Sequence, residues 1–328
     1  MAFDPDINEL FQGIRQGNKV FLARAITLLE STLPAHQSQA INLLTLAWPY
    51  LGKAMKIAVT GAPGVGKSSM IEVLGAHFVN TGHKVAVLAI DPSSQQSKGS
   101  ILGDKTRMNR LSQLDDAFIR PSPNSLELGG VSPATRESIV LCEAAGFDIV
   151  ILETVGVGQS EIQVSEMADL VLLLLAPGSG DHLQGIKKGI MESADLIAVT
   201  KADGSLQEAA GRLKTELRHS LTLQQHADQD AEILLTSAIN GMNIDKLGDQ
   251  LTGLYRTKLE NGDLAHHRAE NMLKWFDQSL KVNLLRKIYA SDTFQANIEE
   301  IKSSSDFSTT VIPLIISKLL DQWSFIKH

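Results

Sequence analysis

The chain contains a single cysteine, Cys142, in 328 residues. An intrachain disulfide framework and a cysteine-rich zinc site are therefore excluded, and a reducing compartment suits the composition. The surrounding run IVLCEAAG reads as the packing face of a helix, so Cys142 is expected to be a small buried hydrophobe. Clustered positive charge is also missing. A formal net charge of −7 and a pI near 5.7 leave no basic stripe of the kind that counterion release from nucleic acid requires, and no nucleic-acid partner is expected. The longest fully apolar run, Leu170 to Pro177, is far too short to cross a bilayer. The opening MAFDPDINELFQ carries acids early and no apolar core of signal-peptide length. The nine histidines are scattered, with His266-His267 the one adjacent pair, so no tract for handling soft metals is present. These absences predict a soluble, cytoplasmic protein with no membrane partner. The 43% hydrophobic content suffices for one sizeable α/β domain with helical additions.

What is present begins with KIAVTGAPGVGKSSM, Lys56 to Met70. A short apolar strand, Ile57 to Thr60, runs into Gly61-Ala62-Pro63-Gly64-Val65-Gly66-Lys67-Ser68, which fits G-x-x-x-x-G-K-[ST] in full. Glycines let consecutive backbone N–H groups turn inward around phosphate oxygens, and a helix opening at Lys67 adds its positive N-terminal end. Lys67 is expected to reach the β and γ phosphates, and the Ser68 hydroxyl to ligate Mg²⁺.

The flanking segments follow an α/β rhythm. Residues 7 to 50 place apolar groups at helical spacing with an interruption at Pro34, and they carry no chemical constellation. Val85 to Ile90 is a near-continuous apolar strand ending in Asp91, as in a parallel sheet buried on both faces. Residues 92 to 125 are polar and broken by glycine and proline, with one strand expected at Phe118 to Arg120. A helix from Pro133 to Ala145 precedes the strand Asp148 to Leu152, which ends in Glu153. A carboxylate there is where nucleoside triphosphatases place an acid for Mg²⁺ or water. Glu153-Thr154-Val155-Gly156 has the form of an acid-x-x-Gly switch, in which Gly156 offers its N–H to the γ phosphate. Val157 follows instead of a water-orienting Gln, and no arginine is demonstrably placed as a finger, Arg107 being only a candidate, so a low intrinsic rate is expected.

Strands at Leu170 to Ala176 and Leu196 to Thr200 come next. The second enters Thr200-Lys201-Ala202-Asp203, the shape of the element usually written N-K-x-D. One carboxylate can accept from both N1–H and the 2-amino group of guanine, whereas adenine has an acceptor at N1 and no 2-amino group. Asp203 therefore predicts guanine, with the stem of Lys201 over the base plane. Thr200 stands where Asn is usual, which leaves the bracing of this loop open. A last strand, Glu232 to Leu235, ends in Thr236-Ser237-Ala238, where a backbone element commonly touches the guanine O6. Beyond Glu260, Leu273, Phe276, Leu280, Leu284 and Ile288 repeat at helical spacing, and 311 to 323 is strongly apolar, which points to self-association or packing back onto the chain.

Taken in succession, GAPGVGKSS, IDPSS, GSILGDKTRM, PATRESIVLCEAAGFDIVILETVGVGQSE and DHLQGIKKGIMESADLIAVTKADG resemble the MeaB/ArgK family of GTPases, the family of the cobalamin type A protein. The resemblance implies a phosphate-loop NTPase of the SIMIBI class: a mostly parallel sheet flanked by helices, with N- and C-terminal helical extensions. It implies a helical region at 1–52, a GTP-binding domain at 53–260 and a dimerisation arm at 261–328. Members of this family are homodimeric GTPase chaperones of adenosylcobalamin-dependent acyl-CoA mutases, methylmalonyl-CoA mutase above all, which they protect and whose cofactor delivery they gate. Carried over, Gly64, Gly66, Lys67, Ser68 and Ser69 bind phosphates and Mg²⁺, and Asp91, Asp104 and Glu153 form the acidic group that holds Mg²⁺ and positions water. Asp181, Gln184 and Lys187 match a further switch; Lys187 and the adjacent Lys188 also suit a solvated helix face. The first switch departs from the family pattern at Gln95, Gln96 and Lys98. A metal-insertion GTPase of the nickel or CobW type, a transport accessory and a non-hydrolysing scaffold are the alternatives.

Overall fold

The computed structural model describes residues 6–31, 33–91, 108–123, 133–154, 159–178, 191, 193–224 and 233–303. Three helices come first: α1 (Ile7–Arg15), α2 (Lys19–Leu29) and α3 (Pro34–Ala47). The carboxylate of Asp6 and the amide oxygen of Asn18 accept from the first N–H groups of α1 and α2, and Pro34 occupies the first turn of α3, where its missing N–H costs nothing. The interruption expected at Pro34 is thus a helix start. A second one, at 16–18, is not visible in the apolar spacing.

Strands and helices then alternate: β1 (Met55–Gly61), α4 (Lys67–Asn80), β2 (Val85–Asp91), α5 (Asn109–Ser112), β3 (Ala117–Pro123), α6 (Pro133–Ala144), β4 (Ile149–Thr154), α7 (Gln159–Ser165), β5 (Leu170–Leu175), β6 (Leu196–Val199), α8 (Gln207–Gln224), β7 (Ile233–Leu235) and α9 (Ile244–Glu260). The seven strands form one parallel sheet in the order β3-β2-β4-β1-β5-β6-β7. β1 lies inside the sheet, pairing with β4 from Met55↔Ile149 to Val59↔Glu153 and with β5 from Ile57↔Leu170 to Gly61↔Leu174. The chain reverses its direction of winding around β1. Crevices at the carboxyl ends of strands beside such a point are where open α/β sheets bind ligands.

Every residue of β1, β4 and β5 is buried, as apolar residues on both faces require, and the polar Lys56, Thr60, Glu153 and Thr154 are buried with them. Alternate side chains serve two layers. Ala58, Leu88, Val150 and Leu152 meet α1, α2, α3 and α6, while Ile57, Val59, Val87, Ile151 and Leu172 meet α4 and α9. The N-terminal helices therefore share the core of the sheet. A third cluster joins β5, β6 and β7 to α8 through Leu173, Ile197, Ala210 and Leu217. Cys142 is fully buried in the first layer, and burial, with Glu143 nearby, pushes its thiol far above the ordinary range.

By internal contacts the chain divides into Met1–Asn271 and Met272–His328. The second unit holds most of α10 (Asp263–Tyr289) and α11 (Asp292–Ser303), where Tyr289 and Phe294 meet edge to face. On α10 an apolar stripe is exposed: Leu273 (68%), Phe276 (63%), Leu280 and Leu284. Among the described residues no helix is long and apolar enough to cross a membrane.

Candidate nucleotide site

The phosphate-loop residues lie between the end of β1 and the start of α4. Gly61 has φ 147°, and a Cβ there would sit 2.4 Å from the Leu174 carbonyl oxygen of β5, so the loop leaves the sheet where only glycine fits. Gly66, at φ 98°, opens α4 with no side chain capping its first N–H groups, unlike α1 and α2. Uncapped N–H groups at the positive end of a helix favour an anion. Val65 is buried beneath the loop, and Ser69 is exposed on the first turn.

Lys67 is buried (8%), and its ammonium donates to Gly61 O at 2.7 Å and Ala62 O at 3.2 Å. Burial lowers its pKa, against the opposing charges of Glu153 and Glu161. The Ser68 hydroxyl donates to Oε1 of Glu153 at 2.6 Å, so two residues distant in sequence place oxygen ligands side by side. Glu153 lies within β4, not beyond its end. The neighbouring Thr154 hydroxyl reaches back to Val59 O of β1 at 3.4 Å. Serine and carboxylate oxygens at a helix N-terminus are hard donors, which suits Mg²⁺.

The second group sits at the ends of β6 and β7. Thr200 is buried, and its hydroxyl bonds to Val65 O at 2.7 Å and Leu175 O at 3.1 Å. The bracing left open by the missing Asn is therefore supplied by a shorter side chain. Lys201, in a left-handed conformation (φ 55°), donates from Nζ to Gly64 O at 2.8 Å, which lays its stem along the phosphate loop. Asp203 is half-buried on the following turn. Ala202 N–H donates to Thr236 O at 3.0 Å, which brings Ser237 and Ala238 beside Asp203. Phosphate loop, Glu153, Thr200, Lys201, Asp203, Ser237 and Ala238 thus share the carboxyl end of the sheet.

Of the other expected residues, Asp91 alone is described, and only in part. Asp91 ends β2, which pairs with β4 at Ile90↔Thr154, but only its backbone is described. Asp104, Gly156, Val157, Arg107, Gln95, Gln96, Lys98, Asp181, Gln184, Lys187 and Lys188, and the apolar run 311 to 323, lie outside the described residues. Sequence reasoning did not find the hydroxyl of Thr200 as a brace; a hydroxyl at the base of a loop is too common a feature to signal it.

A family model described as methylmalonyl Co-A mutase-associated GTPase MeaB matches residues 22–293. The GTPase ArgK of Escherichia coli is 41% identical over 296 residues, which cover 90% of this chain and 89% of that protein. A protein of Caenorhabditis briggsae named methylmalonic aciduria type A homolog, mitochondrial, is 43% identical over 297 residues, covering 86% and 72% of the two chains. Among solved structures, one titled LAO/AO transport system kinase superposes with a TM-score of 0.73 at 32% identity, covering 97% of each chain. With its phosphate loop at the head of α4 and its parallel seven-stranded sheet, the chain belongs to the MeaB family of mutase-associated GTPases.

Proposed function

We propose that this protein hydrolyses GTP to protect an adenosylcobalamin-dependent acyl-CoA mutase, with methylmalonyl-CoA mutase as client, and to gate loading of its cofactor. The observation that carries the nucleotide part is the meeting of Ser68 with Glu153 at the uncapped head of α4. Family membership supports the mutase part. Among the described residues the site offers a nucleotide cycle and no second reaction, which suits a switch acting on another protein.

In this reading Gly61, Gly64, Val65, Gly66 and Ser69 line the phosphates with backbone N–H groups, and Lys67 leaves its two carbonyls for the β and γ phosphate oxygens. Gly156 donates to the γ phosphate. Ser68, Asp91, Asp104 and Glu153 hold Mg²⁺, which when bound neutralises charge on the β and γ oxygens. Water adds to the γ phosphorus as the bond to the β-phosphate oxygen breaks, with Glu153 and the other acids orienting that water. Thr200 braces the base pocket, Lys201 covers the base and Asp203 accepts from its N1–H and 2-amino group. Turnover is slow until a partner completes the site.

In functional terms 1–52 is a helical region, 53–260 the nucleotide-binding part and 261–328 the arm of a homodimer. The exposed stripe of Leu273, Phe276 and Leu280 supports that arm. The lone, fully buried Cys142 suits a cytoplasmic setting and leaves no thiol for soft-metal insertion. Light scattering that finds a stable folded monomer at micromolar concentration removes the dimer. For the client, calorimetry of the mutase with the GDP-bound and GTP-analogue-bound protein should give different affinities, and the mutase should change the GTPase rate. By linkage it must alter nucleotide affinity by the same factor. No complex in either state and an unchanged rate reject the client.

A further inference from the structure

Asn243 belongs to none of the nucleotide-binding motifs. It stands just before α9 in a left-handed conformation, φ 57° and ψ 23°. Its side chain does not cap the helix; Nδ2 instead donates to Leu235 O at 2.7 Å. The sheet explains this. Thr236 N–H bonds to Val199 O of β6 at 2.8 Å, so the preceding Leu235 carbonyl turns the other way, off the edge of β7, the last strand in the order. The Asn243 amide satisfies that carbonyl and closes the segment 236–242 into a loop.

The rest of the loop is tied inward. Ser237 N–H donates to Met242 O at 3.2 Å, and the Ser237 hydroxyl accepts from Ile239 N at 3.2 Å and Asn240 N at 3.5 Å. Asn240 Oδ1 accepts from Met242 N at 3.0 Å. The Ser237 side chain is therefore committed to the loop. Base reading falls to backbone, and the half-buried Ala238 N–H takes part in none of these bonds. Glycine would accept φ 57° as readily as asparagine, but it has no amide to donate.

We infer that Asn243 is a positioning residue for guanine: by holding Leu235, its amide sets where Ala238 N–H meets the 6-oxygen of the base. The inference rests on the guanine-nucleotide reading above and concerns a contact separate from that of Asp203. Its test compares the affinities of GDP, 6-thio-GDP and IDP for the full-length protein, Asn243→Gly and Asn243→Asp. The thio analogue changes only the 6-position acceptor, and IDP lacks only the 2-amino group. Glycine keeps the left-handed backbone, while aspartate is nearly isosteric and has no N–H to donate.

Wild type should prefer GDP over 6-thio-GDP by about fivefold, the worth of one ordinary hydrogen bond. Both variants should bring that ratio close to one and leave the GDP-to-IDP ratio at its wild-type value. A wild type that does not distinguish GDP from 6-thio-GDP removes the 6-oxygen contact itself, and the inference with it. If wild type discriminates and both variants keep its ratio, Asn243 does not position the contact. If both ratios collapse together, the amide only holds the fold, which also overturns the inference.

Discussion

Lys56 near the start of β1 and Lys67 beyond its end are buried alike, at 7% and 8%, yet they serve opposite ends of the sheet in opposite ways. Burial lowers the pKa of both. At the start of β1, Lys56 lies 3.8 Å from Glu143 and 3.8 Å from Asp169. Those carboxylates are occupied in turn: Glu143 accepts from Gly52 N and Ala54 N, and Asp169 accepts from Lys56 N and from Nε and Nη2 of Arg268. Arg268 goes on to Gly52 O and Ala54 O, and the pull of Asp169 outweighs burial and raises its pKa. Two cations and two anions are thus matched within the chain. At the other end Lys67 donates to two neutral carbonyls, and Glu153 and Glu161 act on it only by charge. A buried ion that is fully partnered holds a fold together, whereas one resting on carbonyls can exchange them for a phosphate. The residue type is the same, and the partners decide its use.

The comparison can be broken most sharply at Lys67 itself. Lys67→Met should lower GTP hydrolysis about a thousandfold, on the order of 4 kcal/mol in the transition state, with the melting transition retained. Lys56→Met should do the reverse, leaving phosphate release per folded molecule near wild type while lowering stability. A folded Lys56→Met protein without activity would erase the distinction between the two ends.

Next in size is Asp169→Asn, which leaves Lys56 and Arg268 without the carboxylate between them. Breaking a buried ion network in this way should cost about 3 kcal/mol, read as a lower urea midpoint with an unchanged slope. An unchanged midpoint would show that the matched end contributes no net stability.

Asp203→Asn tests the ligand end without touching the phosphates. GDP affinity should fall about a hundredfold, as expected for loss of charge-assisted hydrogen bonds, and xanthosine diphosphate should gain, because its 2-oxygen can accept from the new amide. Equal loss for both nucleotides would count against Asp203 as the base reader.

The smallest effect is expected at Thr200→Val, which keeps the shape and removes the hydroxyl that joins the base loop to Val65 O. Nucleotide binding should weaken about fivefold with kcat unchanged, since roughly 1 kcal/mol of bracing is lost and no phosphate contact is. A fall in kcat alone would instead mean that the brace acts on the chemical step.

Legibility followed the range of the interaction. Gly61 to Ser68 could be read because its chemistry needs particular residues at adjacent positions, and β1, β4 and β5 because strands buried on both faces carry apolar residues at successive positions along most of their length. The chemistry of guanine singles out Asp203 in the sequence, and the structure places it beside Thr236 and the phosphate loop. The helical spacing of residues 7 to 50 showed an apolar face but not its partner, which turned out to be α6 and the sheet. Glu143, Asp169 and Arg268 gave no signal at all, since each alone looks like a surface charge.

By itself, then, the sequence determined the strand–loop–helix unit, the nucleotide class it suits and the helical character of residues 7 to 47 and 263 to 303. These depend on backbone freedom, hydrophobic period and side-chain chemistry within a few residues. Only the tertiary structure decided that Ser68 meets Glu153, that Thr200 braces Val65, that Asn243 holds Leu235 and that Lys56 is neutralised within the chain. Each of those pairings depends on strand order and register, and the partners of a buried polar group are chosen by the packing that excludes water from it.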